Sequence, residues 1–320
     1  MMKGFLMAPV PKSPPHQINQ FLGELFEDIE KVFENKIRVR GISTGFHDLD
    51  TMTSGFKAGD LIVVAGRPAM GKTAFCTNVV EHVSIHANDP LATLIFSLEM
   101  NSKQLVLRML SSVSMVHASS LRTGCFTDPE SAFPKLTMGA GQLDNAQIFI
   151  DDTPDINIEK LCAKTRRLNA ENNLGLIVID CLQLIQSDHR AGRLQDISKT
   201  VKALKALAEE LNLPIVVTSQ LNGSLENRTD NRPILEDLCG FDTAFGQNVD
   251  LVIFVYRETV YCDDCMGLNR SCDKGHYGDA DIIVAKQRTG PIGTLRLNFH
   301  PDSIRFSNKS LQSKVHDLLY

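Results

Sequence analysis

Apolar residues in the first part of the chain fall at three- and four-residue steps: Ile18, Phe21, Leu22, Leu25, Phe26, Ile29, Val32 and Phe33. That period predicts an amphipathic helix through "QINQFLGELFEDIEKVFENK", placed at 17–38 behind a flexible, proline-rich leader at 1–16. Periodicity marks a buried stripe without saying what covers it, so the partner is either the rest of this chain or a neighbouring subunit. From Ile42 onward the pattern changes to short continuous apolar runs separated by helical stretches: "LIVVAG", "ATLIFSLEM", "LGLIVIDCLQLI", "LPIVVTSQL", "DLVIFVYRE" and "ADIIVAKQR". Strands covered on both faces read this way, which predicts an α/β fold with a mostly parallel central sheet and flanking helices. The alternating "GTLRLNFHPDSIRFSN" predicts a C-terminal β-hairpin turning at "HPDS". No internal repeat or low-complexity segment interrupts the pattern.

Composition narrows the picture. With 320 residues, 43% of them hydrophobic, the chain has enough apolar material for one large core. No apolar run approaches the roughly 18 residues that span a bilayer, and "MMKGFLMAPVPKSPP" reaches prolines before it forms a secretory core, so a cytoplasmic protein with no membrane partner is expected. Reduced thiols are the expectation for the eight cysteines in that compartment. A net charge of -5 argues against coating duplex DNA with the whole surface and confines any nucleic-acid site to a local basic region.

The chemistry concentrates in "GRPAMGKT", Gly66 to Thr73, which follows one apolar run and precedes the helical "TAFCTNVVEHVSIH". This is the G-x-x-x-x-G-K-[ST] phosphate loop in the strand-to-helix context it requires. Gly66 and Gly71 let the backbone curl so that N–H groups from Gly66, Arg67, Ala69, Met70, Gly71, Lys72, Thr73 and Ala74 surround the phosphates of ATP, while Pro68 in the same loop contributes only its fixed backbone angle. Lys72 neutralises phosphate charge, and Thr73 offers a hydroxyl to Mg²⁺. Asp180 closes "LGLIVID" at the sheet edge where ligands bind and is the second expected Mg²⁺ holder, although an aspartate also ends many strands as a turn former. Glu99, closing "LIFSLE", is either the carboxylate that activates water or a solvated surface group. Gln220, closing "LPIVVTSQ", is either a γ-phosphate sensor or a plain strand-end amide.

Taken together, "STGFHDLDTMTSGFKAGDLIVVAGRPAMGKTAF", "FSLEM", "IDCLQLI", "LKALAEELNLPIVVTSQLN", "NRPILEDL" and "KQRTGPIGTLRLNF" resemble, in order, the ATPase domain of DnaB-family replicative DNA helicases. The resemblance covers about residues 40 to 308 and includes the preceding linker helix. It implies a RecA-like P-loop ATPase domain at 39–308 followed by a tail at 309–320. It also implies a homo-hexameric ring that moves on single-stranded DNA and unwinds duplex during replication, with a helicase loader or primase as further partners. By the same resemblance Lys72, Thr73 and Asp180 hold nucleotide and Mg²⁺, Glu99 is the catalytic carboxylate and Gln220 the sensor. Lys286 and Arg288 in "AKQRTG" correspond to the basic pair that enters the neighbouring subunit's site. Expected DNA contacts lie in two loop regions, one with Arg190, Arg193 and Lys199, the other with Arg228, Arg232 and Gly240; on their own, such cations equally read as solvated loop charges.

Three features depart from the family. Cys239, Gly240, Phe241 and Asp242 stand where the family has an Arg-Glu-Ser-Gly turn in its DNA-contacting loop. No counterpart of the family's N-terminal domain precedes the linker helix, which points to a natural short form or a fragment. Finally, "YCDDCMGLNRSCDKGHY" occupies a connector where the family needs no metal, and Cys262, Cys265, Cys272 and His276 make it a candidate structural Zn²⁺ loop. Two other classes of function remain open: a RecA-like ATPase that binds DNA or protein without processive unwinding, and a subunit that joins and inhibits a host helicase ring.

Overall fold

In a sheet covered on both sides, successive residues of each strand must bury on opposite faces, and the central strand β1 shows how this organises the protein. Ile62 and Val64 pack into one core with Phe75, Val178, Val216 and Ile253. Leu61 and Val63 pack into the other with Ile177, Val217, Leu204 and Phe254. A computed structural model describes residues 17–19, 22–23, 26, 30, 39–186, 193–238, 246–266, 276 and 278–309.

The order of elements is α1 (His47–Thr53), β1 (Leu61–Gly66), α2 (Lys72–Glu81) with a π-helical extension His82–His86, β2 (Ala92–Ser97), α3 (Ser102–Ser114), α4 (Ala118–Thr123), α5 (Pro129–Asp144), β3 (Ile148–Asp151), α6 (Ile158–Asn172), β4 (Leu174–Asp180), α7 (Arg193–Leu211), β5 (Ile215–Gln220), β6 (Leu251–Tyr256), β7 (Asp279–Gln287), β8 (Gly293–His300) and β9 (Arg305–Asn308). These strands form one nine-stranded sheet in the order β3-β2-β4-β5-β1-β6-β7-β8-β9. Strands β3 to β6 in that order are parallel, and β7, β8 and β9 add on antiparallel. The expected mostly parallel sheet and closing hairpin are both present. Strand β3 was not expected: its four residues are only half-buried, so an edge position left no continuous apolar run in the sequence.

The hairpin is tied to α2 by aromatic packing. Phe75 stacks on Phe46 with ring centroids 5.1 Å apart and meets Phe306 edge-on at 5.9 Å. Beside it, fully buried Glu81 receives hydrogen bonds from Ser112 Oγ at 2.9 Å and Arg305 Nη1 at 3.0 Å, while its Oε1 has no partner. Burial pushes this carboxyl up to about 7, against the opposing pull of Arg305 and the hydroxyl and amide donors. A carboxyl raised in the folded state contributes stability that is complete below its unfolded value near 4.5 and is lost as pH climbs through about 7. Glu81→Gln is therefore expected to remove a loss on the order of 2–3 kcal/mol between pH 4.5 and 7.5, read as the difference in urea unfolding midpoints between variant and parent.

Of the expected linker helix, the described residues Asn19, Leu22, Gly23, Phe26 and Glu30 are helical. Ile18 and Phe26 of its apolar stripe are 77% and 60% exposed, so within this chain those two positions stay uncovered. Among the described residues, no helix is long and apolar enough to cross a membrane.

Candidate nucleotide site and the opposite sheet edge

Parallel strands bring their carboxyl ends to one edge, and the register shows which residues meet there. Gly66 lies beside Gln220, and Ser97 beside Asp180. Glu99 follows two residues after Ser97, its N–H donating to the Asp180 carbonyl at 3.3 Å beside that of Leu98 at 2.7 Å. The phosphate loop, Glu99, Asp180 and Gln220 are thus neighbours along one sheet edge.

Close approach explains the two loop glycines. Gly71 has φ +100°, and a side chain there would come within 3.0 Å of the Phe306 ring. A Cβ on Gly66 would stand 2.8 Å from the Val255 carbonyl oxygen. Gly71 is also the N-cap of α2 and has no side chain to cap it, so the helix presents its first N–H groups to the loop. That end attracts anions through N–H donors and the helix dipole.

Lys72 opens α2, is 9% exposed and donates from Nζ to the Arg67 carbonyl at 3.1 Å. Burial lowers the affinity of its amine for a proton, while the charges of Asp180 and Glu99 raise it. Thr73 Oγ1 donates to Asp180 Oδ2 at 2.7 Å, and Thr218 Oγ1 donates to Asp180 Oδ1 at 2.5 Å. Asp180 is 3% exposed, so both oxygens are held by protein hydroxyls away from bulk water. A hydroxyl and a carboxylate side by side are hard oxygen donors of the kind Mg²⁺ takes, and an ammonium with uncapped helix N–H groups fits a polyphosphate. The residues present therefore fit ATP and Mg²⁺.

The structure adds parts that the sequence did not single out. Gln183 Nε2 donates to Ser219 Oγ at 2.9 Å, and Gln220 N–H donates to Gln183 Oε1 at 3.3 Å, which orients the end of β5. Arg67 donates from Nε to Glu226 Oε1 at 2.9 Å and from Nη1 to the Leu221 carbonyl at 3.2 Å. This ties the phosphate loop to the segment that follows Gln220. On its other side Arg257 Nη1 donates to the Ala69 carbonyl at 3.1 Å while its guanidinium lies 3.9 Å from the Phe299 ring centroid. Thr218 had a legible signal, the first polar residue after the apolar start of β5, two positions before Gln220. Glu226 and Arg257 had none, because their partners are remote in sequence.

Lys286 and Arg288 sit elsewhere. Because β7 runs antiparallel to β6, Lys286 lies beside Val252 at the amino end of β6. Arg288 Nη1 pairs with Asp250 Oδ1 at 3.0 Å, and Asp250 Oδ2 accepts the N–H of Leu61, the first residue of β1, at 2.9 Å. From the first to the sixth residue of β1, five steps of about 3.3 Å put that edge about 17 Å from the phosphate loop, farther than an arginine side chain reaches. Lys286 Nζ donates to the Gly246 carbonyl at 2.9 Å, and burial, with Arg288 as a like charge, lowers its proton affinity. The basic pair and the phosphate loop of one chain occupy opposite sheet edges.

The remaining candidates divide. Arg190, Gly240 and Cys272 lie outside the described residues, as does the Cys239 to Asp242 turn; Arg193 begins α7, and Lys199 is exposed on the same helix. Arg228 and Arg232 are drawn into the fold: Arg228 Nη2 donates to buried Asp237 at 2.9 Å, and Arg232 pairs with Asp281 and covers the Tyr256 ring at 5.1 Å. Cys262, Cys265 and His276 come together, with all their donor atoms within 4.8 Å of one another.

With this geometry in place, comparison with known proteins is informative. A profile of the DnaB-like helicase C terminal domain matches residues 41–308. The chain is 44% identical over 293 residues to the replicative DNA helicase DnaB of Geobacillus stearothermophilus and 41% identical over 293 residues to the replicative DNA helicase DnaC of Bacillus subtilis. Each match takes in 91% of this chain, which spans 62% of either relative's length. Among solved structures, a chain described as an ATPase domain superposes with a TM-score of 0.81 at 29% identity, covering 93% of this chain and all of that one. A DnaB-like replicative helicase described with its interactions with primase gives 0.80 at 28% identity, covering 94% of this chain and 69% of the other. By its residues, its sheet and its relatives, the chain belongs to the DnaB-like helicase C-terminal domain family.

Proposed function

We propose that this chain is the motor part of an ATP-dependent hexameric DNA helicase, a cytoplasmic ring that moves along single-stranded DNA and unwinds duplex during replication. The observation that carries this reading is the separation of Lys286 and Arg288 from the phosphate loop of their own chain. A phosphate cradle on one edge and a basic pair on the other complete each other when subunits meet head to tail, an arrangement that closes as a ring. The exposed Ile18 and Phe26 of the linker helix add an apolar face for the same contact.

In this reading Lys72 balances phosphate charge, Thr73 and Asp180 hold Mg²⁺, and Thr218 keeps the Asp180 carboxylate aimed. The bound metal supplies Lewis acidity at the phosphate oxygens. Glu99, exposed at the edge, is placed to take a proton from water, and Gln220 reports the nucleotide state. The Arg67–Glu226 pair joins that state to the segment running to Leu238, where Arg228 and Arg232 shape the loop. Arg190, Arg193, Lys199 and the backbone of Gly240 are the proposed DNA contacts, tracking phosphates without reading bases. Contacts with a loader or a primase belong to the same proposal.

Steady-state ATP hydrolysis with and without single-stranded DNA tests the reading. The expected outcome is stimulation of at least several-fold, steeply reduced by added salt because phosphate contacts release counterions. A rate indifferent to DNA at every salt concentration would favour an ATPase of the same fold whose track is not DNA.

A further inference from the structure

The connector between β6 and β7 gathers two thiols and an imidazole that ATP chemistry does not use. Cys262 and Cys265 are each 8% exposed and reduced. Cys262 immediately precedes the single helical turn Asp263–Met266, which carries Cys265, and the Cys265 N–H donates to the Cys262 carbonyl at 3.1 Å. Eleven positions after Cys265, the chain returns His276 to the same place, so that the three donor atoms lie within 4.8 Å of one another. Two cysteines in one turn are a local accident of sequence; a histidine brought back to them across a loop is a tertiary arrangement. Around a tetrahedral zinc, with Zn–S of about 2.3 Å and Zn–N of about 2.0 Å, donor atoms stand about 3.5–3.8 Å apart, so a small contraction closes this cluster on a metal. Soft thiolates with an imidazole select Zn²⁺ over the hard cations that suit Thr73 and Asp180.

We propose that Cys262, Cys265 and His276 bind a structural Zn²⁺ that fixes the β6–β7 connector against the outer side of the phosphate loop. These donors fill three corners of the tetrahedron, and the fourth is left unassigned. The metal joins the two ends of the connector: the turn after Tyr261 on one side, and on the other His276, whose carbonyl accepts the Asp279 N–H at the start of β7. The segment it holds reaches the nucleotide site directly. Arg257 meets the Ala69 carbonyl through its guanidinium and Met70 Sδ through its N–H at 3.3 Å. Tyr261 stacks on Tyr256 with centroids 6.0 Å apart, and its N–H closes the turn on the Glu258 carbonyl at 2.9 Å. A connector with few apolar residues gains by metal ligation the order that a core would otherwise supply.

The test is metal analysis of the untagged full chain, purified without chelators, together with Co²⁺ substitution. About one zinc per chain is expected, and the Co²⁺ form is expected to show thiolate-to-metal charge-transfer absorption with the visible bands of a tetrahedral site. Zinc content should fall well below one in Cys262→Ser, Cys265→Ser and His276→Ala, and hydrogen exchange across 257–266 should quicken when the parent protein loses its zinc. Because a variant can lose metal by misfolding, the decisive result comes from the parent chain. Less than a tenth of a zinc per chain with no thiolate bands after Co²⁺ addition overturns the proposal. So does zinc that persists in a folded Cys262→Ser/Cys265→Ser double variant, or a Cys262–Cys265 disulfide in the native protein.

Discussion

Arg288→Ala is expected to lower ATP hydrolysis about a thousandfold or more while ATP binding stays near that of the parent protein. A thousandfold is about 4 kcal/mol of transition-state stabilisation, the scale on which a guanidinium acts when it meets developing phosphate charge across a subunit boundary. Binding survives because the groups proposed to hold nucleotide, from Gly66 to Thr73 with Asp180, lie on the opposite sheet edge from Arg288. A cis role for Arg288 is excluded by that distance, so complementation gives the sharper result. Lys72→Ala protomers have a defective phosphate loop but a sound Arg288, and Arg288→Ala protomers have the reverse. In the proposed ring, mixing places an intact loop against an intact arginine at some interfaces, and part of the activity should return. Two inactive variants that stay inactive at every mixing ratio would count against a shared site.

Asp250→Ala is expected to cost about 3 kcal/mol of stability, measured as a shift of the urea unfolding midpoint. The Asp250 side chain is 4% exposed and gathers three partners: Lys205 Nζ at 2.7 Å, Arg288 at 3.0 Å and the Leu61 N–H at 2.9 Å. Lys205 is itself only 12% exposed, so removing its carboxylate leaves a charge poorly solvated, and that penalty dominates the loss. Two groups limit the damage. Glu209 stands 3.3 Å from Lys205, and Asp60, whose carboxyl is raised by burial and then by the charge of Asp250, ionises more readily once Asp250 is gone. Arg288 keeps its Nη2 donation to the Gln247 carbonyl at 3.1 Å but loses the carboxylate that pairs with its charge, so hydrolysis should fall together with stability. An Asp250→Ala protein with an unchanged unfolding midpoint would show that the cluster is a solvated surface network after all.

Much of this was legible in the chain. The apolar runs predicted β1, β2, β4, β5 and β6 because buried parallel strands leave little room for polar residues, and the antiparallel β7 was legible from its own apolar run. The hairpin was legible from alternation, and the phosphate loop from eight contiguous residues whose chemistry is local. Other parts were not. Strand β3 is short and half-buried, so its four residues carry no distinctive pattern. Arg228 and Arg232 looked like free loop cations, but Asp237 and Asp281 claim them; a charge in a sequence does not show whether a carboxylate will fold against it.

What the sequence determined by itself was therefore whatever depends on neighbours along the chain: strand and helix periods, the glycines and lysine of the phosphate loop, the two carboxylates at strand ends and the ordered motifs that place the chain in its family. Tertiary structure alone decided how distant positions meet. It put Thr218 on Asp180, Glu226 on Arg67, His276 on two thiols, and Arg288 on Asp250 at the far edge from the phosphates. The physical reason is that a period or a tight turn is set by backbone geometry over a few residues, whereas such pairings follow from strand order and register, which the whole core settles at once.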